Sequence, residues 1–124
     1  IRQSVPAQVY ERNGHWYSRY IEPDNGMGTS IAVVKLESGG VPRIQLLRQG
    51  AVRSKLLFEA GAWTEGQYET VHGSFKLGLK TTSLSVNVSG DGSGEWFWSY
   101  ELIVQGESQE VFHIKMKAEA KSPS

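Results

Sequence analysis

The chain contains no cysteine, which removes disulfide cross-links, thiolate metal sites and a cysteine nucleophile, and which fits a reducing, cytoplasmic setting. It has no net charge either. Lys plus Arg and Asp plus Glu both number 13, so no global field draws the protein to nucleic acid or to an anionic membrane surface. No apolar run approaches the roughly 18 residues of a membrane span, and the N-terminus lacks the apolar core of a signal peptide. Ile1 stands where an initiator Met is expected, which leaves room for a removed leader. Sustained helical periodicity is missing as well; one turn of helix between Ala60 and Glu65 is all that the pattern allows.

Chemical motifs are equally scarce. His15, His72 and His113 are scattered, with no HxH or HExxH spacing, so no metal site is expected. The serines have no GxSxG context. Gly90 to Gly94 is followed neither by a Lys nor by a helix that would cradle phosphate. No catalytic residue, metal ligand or cofactor is therefore assigned.

What the sequence does hold is alternation. Its 124 residues are the length of one domain, 1–124, that buries about two-thirds of its unfolded surface around one core. The stretch Gly66 to Ser89 is the most informative. Phe75, Leu77 and Leu79 occupy odd positions and Leu84, Val86 and Val88 even ones. A two-residue period changes phase only at a bulge or bend, here at Thr81-Thr82, and a long strand bent in this way lets a sheet curl round on itself.

The remaining runs are shorter. Gln3 to Arg12 alternates weakly around Pro6, which reads as an edge strand or one that bulges early. Asn13-Gly14 matches a type I′ hairpin turn and makes His15 to Glu22 the partner strand. Strands follow over about Gly28 to Glu37, Arg43 to Gln49, Val52 to Ala60, Glu65 to Val71 and Glu95 to Gln105, and Gly106-Glu107 turns into a last one. In the last of these, Phe112, Ile114, Met116 and Ala118 alternate with His113, Lys115 and Lys117. Consecutive strands joined by short turns predict an all-β, antiparallel up-and-down barrel of about eight to nine strands, with a sandwich as the alternative.

Motif order adds to this reading. Tyr17-x-x-Tyr20-x-Glu22, Gly28-Thr29, Leu47-Arg48-x-Gly50-Ala51, Phe58-Glu59-x-Gly61, Tyr68-x-Thr70-x-x-Gly73, Thr81, Gly94, Tyr100-x-Leu102 and Gly106 together resemble the YwiB-like family of small bacterial proteins. The likeness runs from about Tyr10 to Ala120. It implies a lipocalin-like (calycin) β-barrel and carries over no catalytic residues, because none are assigned in that family. Two departures stand out: the segment before Tyr10 is short for a full first strand, and Trp96 with Trp98 makes the chain unusually aromatic.

Six polar residues share faces with apolar ones: Tyr20, Glu22, Arg48, Tyr68, Thr70 and Tyr100. If they point inward, Arg48 needs a partner and Glu22 is the nearest carboxylate in pattern. Such a group either fixes register as a buried ion pair among tyrosine hydroxyls or orients one end of a small, partly apolar ligand. Trp16, Tyr20, Trp96 and Trp98 have the residue types of a stacking platform for single-stranded nucleic acid, but without a basic field they are better placed in a core. The expectation is a cytoplasmic monomer or homodimer that binds a small apolar or amphipathic molecule inside the barrel. The alternative is a structural or protein-interaction module whose barrel is filled by its own side chains, and enzymatic activity ranks third.

Overall fold

The computed structural model describes residues 2–22, 28–37 and 40–120, with Val5 and Glu22 described in their backbone alone. Nine strands follow one another: β1 (Arg2–Arg12), β2 (His15–Glu22), β3 (Ser30–Glu37), β4 (Arg43–Gly50), β5 (Arg53–Glu59), β6 (Trp63–Thr70), β7 (Gly73–Val88), β8 (Gly94–Val104) and β9 (Glu107–Ala120). Each pairs with the next, and β1 pairs with β9, so the sheet is a closed barrel in sequence order. That architecture is consistent with a lipocalin-like barrel. Eight of the ladders are antiparallel, but β1 and β9 are parallel from Arg2↔His113 to Val9↔Ala120. The cause is arithmetic: in an up-and-down meander with an odd number of strands, the first and last run the same way.

The phase change in β7 is where the alternation places it. Register against β8 shifts between Thr81 and Ser83, and the inward positions pass from Leu77, Leu79 and Thr81 to Leu84, Val86 and Val88. The β5–β6 turn docks on this bend, with Gly61 N donating to Thr81 O at 2.9 Å and Thr81 N donating to Ala62 O at 3.1 Å. The segment around Ala60 to Glu65 is thus a turn and the start of β6, and no helix occurs among the described residues. A second shift, between Leu102 and Ile103, has no counterpart in the sequence pattern.

The first strand differs most from expectation. Instead of a short edge strand, β1 is an 11-residue closing strand held on both sides. Its edge character survives on one side only. Against β2 it pairs over Val9–Arg12 and no further among the described residues. The β5–β6 ladder is short too, limited to Arg53–Lys55 against Gln67–Glu69.

The barrel has two unlike ends. At the base, where the β1–β2 and β7–β8 turns lie, Val9, Leu36, Ile44, Trp96 and Ala118 are buried and pack as a solid core. Gly92 in the β7–β8 turn lies flat on Trp16; a Cβ there would collide with the ring, and its φ of +88° also disfavours a side chain. Removing the Trp96 side chain would cost about 3–5 kcal/mol, the usual range for a large buried aromatic. Toward the mouth, where β2–β3, β4–β5, β6–β7 and β8–β9 connect, the inward residues become larger and more polar.

Candidate functional site

Five consecutive ladders set one row of residues side by side. Tyr20 opposes Ala32, Ala32 opposes Arg48, Arg48 opposes Ser54, Ser54 opposes Tyr68, and Tyr68 opposes Phe75. Because side chains alternate across a sheet, every strand from β2 to β6 contributes its inward phase to this row. Arg48 Nη1 donates to Ser54 Oγ at 3.2 Å. From the far wall β8 supplies Tyr100, whose ring lies 4.6 Å from Phe58 and 5.0 Å from Phe112. Burial raises the Tyr100 pKa, with the Arg48 charge opposing, so the phenol is neutral and able to donate.

Below and beside this row the barrel is hollow. A cavity of about 610 Å³ is walled on its apolar side by Val34, Leu46, Phe58, Trp98, Ile114 and Met116. Its polar side carries Tyr20, Arg48 and Tyr100. A second hollow of about 490 Å³ lies toward the mouth among Tyr68, Leu77, Leu79, Leu102 and Phe112, and Gln3, Arg48 and Tyr100 border both. Both volumes fall within the roughly 300–1,000 Å³ of sites that take small molecules. Trp98 is 4% exposed, and its Nε1 has no hydrogen-bond partner among the described residues.

The cavity also meets the wall. Asn13 and Gly14 have φ of 54° and 79°, the two positive values of a type I′ turn, so Arg12 and His15 form the hydrogen-bonded pair next to it. Alternation then aims the N–H groups of Arg12, Tyr10 and Gln8 at β2, and Pro6, next in that phase, has none to offer. Its ring costs the β9 ladder nothing. From Arg2 to Gln8 on β1 and from Arg19 to Glu22 on β2, the facing edges form no ladder with each other among the described residues. Gln3, Ser4 and Pro6 on one edge and Tyr20 and Ile21 on the other all line the larger cavity.

Of the six residues singled out from the sequence, Tyr20, Arg48 and Tyr100 meet at the larger cavity, and Tyr68 joins Arg48 and Tyr100 at the second. Thr70 does neither. It ends β6, where its Oγ1 accepts from His72 N at 3.0 Å and braces the turn. The Glu22 side chain, and with it the expected pairing to Arg48, lies outside the described residues. Trp98, Ile114 and Met116 read as core in the sequence and form cavity wall in the structure, and nothing in the alternation marks the slit edges Gln3, Ser4, Pro6 and Ile21 as part of a site. Trp96 and Trp98 are buried inside the barrel and Trp16 packs against the same core.

One other feature lies on the outer surface. Ser99 Oγ and His113 Nδ1 are 2.8 Å apart across the β8–β9 ladder, in a depression also lined by Arg2, Phe97 and Lys115. A triad would need a third group to orient the imidazole, and no carboxylate lines that depression among the described residues. No cluster of three or more potential metal ligands occurs among the described residues. No helix among them is long and apolar enough to cross a membrane.

Comparison with known proteins bears on the family and the fold. A family model described as "Domain of unknown function (DUF1934)" matches residues 1–116. The crystal structure of the ywiB protein from Bacillus subtilis is similar with a TM-score of 0.67 and 24% identity, over 77% of this chain and 63% of that one. The likeness supports the fold, and this chain spans about 63% of that protein's length. No curated protein matches.

Proposed function

We infer that this chain, which belongs to the DUF1934 family of domains of unknown function, is a binding module that holds a small, amphipathic molecule inside its barrel. One observation carries the reading: the half of the barrel nearer the mouth encloses a cavity of about 610 Å³ with an apolar wall on one side and Tyr20, Arg48 and Tyr100 on the other. Such a division suits a ligand with an apolar body and a polar end, the body gaining about 25 cal/mol for each Å² taken out of water. Arg48 and the two tyrosines would orient the polar end, and Trp98 Nε1 offers a further donor. The absence of cysteine fits action in the cytoplasm.

Native mass spectrometry of freshly purified protein, with and without added 8-anilinonaphthalene-1-sulfonate, tests this directly. The expected result is a one-to-one adduct and saturable dye fluorescence. Leu46→Trp, which fills the cavity, should abolish both while the far-ultraviolet circular dichroism is retained. Unchanged dye binding in Leu46→Trp, or no saturable binding by the unaltered protein, would favour the filled-barrel module, for which the solid base is the supporting observation.

A further inference from the structure

We propose that ligand reaches the cavity sideways, through the seam between β1 and β2, and not along the barrel axis from the mouth. The proposal rests on reading the cavity as a binding site and adds the route into it. Three observations converge on the seam. Its two edges, Arg2 to Gln8 and Arg19 to Glu22, share no ladder pairs among the described residues, so widening it breaks no rung between the two strands there. Parting any fully paired seam would break several.

Pro6 keeps the seam from zipping. In the phase that faces β2 it has no N–H, so the ladder cannot run continuously past Gln8, and the same missing donor discourages a foreign strand from pairing with this edge. The lip is also apolar. Ile21 is 72% exposed and, with Pro6, borders the cavity from the outside, offering an apolar surface at the threshold. The axial route runs instead through the second hollow, among Leu77, Leu102, Tyr68 and Phe112, and reaches the larger cavity past Gln3, Arg48 and Tyr100, which border both.

Because the chain has no cysteine, the seam can be clamped selectively. Ser4→Cys combined with Ile21→Cys places one thiol on each lip and leaves Pro6 in place. The pair is closed by oxidation or, if the Cα atoms stand more than about 7 Å apart, by a short bis-maleimide. Stopped-flow association and dissociation of 8-anilinonaphthalene-1-sulfonate are compared between bridged and reduced forms of the same variant, with bridging verified by mass. The expected result is that bridging slows both rates by on the order of tenfold or more while their ratio changes little, as for a blocked passage to an intact site. Equal rates in the two forms, or slowing by the mouth-narrowing variant Leu102→Trp and not by the bridge, would overturn the lateral route while leaving the cavity as a binding site. Absence of saturable dye binding in the unaltered protein would overturn both.

Discussion

Two ladders of this barrel stop short, and they end differently. Between β5 and β6, pairing covers only Arg53–Lys55 against Gln67–Glu69, yet the seam beyond is closed. Thr64 Oγ1 donates across it to Leu57 O at 2.6 Å, and Gly66 lets the two backbones approach so closely that a Cβ would lie 2.5 Å from Leu56 Cδ2 and 3.2 Å from Lys55 O. Between β1 and β2 the ladder of the described residues stops at Val9↔Ser18, and Pro6 occupies a phase in which a further hydrogen bond would form. The depression over the β5–β6 seam is lined by outward residues such as Lys55, Glu65 and Lys76, whereas the β1–β2 seam opens onto the interior. Lost backbone pairing does not by itself make an opening. What occupies the gap decides.

The contrast can be broken most forcefully at the closed seam. Gly66→Val should cost roughly 2–3 kcal/mol, read from the urea midpoint, because the added atoms displace the buried Leu56 side chain and press on the Lys55 carbonyl. Thr64→Val should cost about 1–2 kcal/mol, since it keeps the shape but strips the part-buried Leu57 carbonyl of its donor. Hydrogen exchange should quicken along Thr64 to Gly66 in that variant and stay unchanged in β2. An equal change at both seams would mean that the two are not independent.

At the open seam the sharper result is kinetic. Pro6→Ala restores a donor facing β2 and removes a restriction on the unfolded chain, effects of about 0.4–1 kcal/mol with opposite signs, so stability should move little. Protection from exchange should appear at the amide that this substitution creates, and dye exchange should slow. Unprotected exchange at that amide would show that the edges are too far apart to zip.

The fully paired β3–β4 ladder is the reference for both. At its base end Arg43 grips Glu37 Oε2 through Nε, at 2.9 Å, and Nη2, and Lys35 Nζ stands 3.7 Å from Oε1. The hydrogen bond from Arg43 holds the Glu37 pKa below its usual 4.5, against a smaller opposing effect of burial. A depressed carboxylate stabilises the fold above its unfolded pKa and loses that contribution as pH falls from about 4.5 through the folded value. The effect should be under about 1 kcal/mol for a pair this close to solvent. Comparing urea midpoints at pH 3 and pH 7 should show a smaller difference in Arg43→Met than in the unaltered protein.

Local features of this fold are legible in the residues and long-range ones are not. The bend at Thr81–Thr82, the Asn13-Gly14 turn and the inward run Phe112 to Ala118 each follow from a few adjacent side chains, and alternation carries them without ambiguity. Pro6 signals an edge correctly, but only for the side facing β2, since no local pattern shows that Arg2 to Val9 will find β9. The row through Tyr20, Arg48 and Tyr68 depends on register across successive ladders, although each residue is marked by a polar side chain in an apolar phase. Thr70 carries the same mark and fails because β6 ends there, leaving its hydroxyl to a turn. Trp98 and Met116 look like core, and whether a core residue borders packing or space is set by the residues on the opposite wall.

The parallel seam between β1 and β9 has a consequence for synthesis. Arg2 waits for His113, made 111 residues later (113 − 2), before it gains a partner. Until β9 leaves the ribosome, the first half of β1 lacks a neighbouring strand among the described residues, because its ladder with β2 reaches back only to Val9. The nascent chain therefore carries a bare strand for most of its translation, the circumstance in which edge pairing between chains starts aggregates. Pro6, in the middle of that strand, is a guard against such pairing during manufacture, before the barrel has an inside to admit anything to.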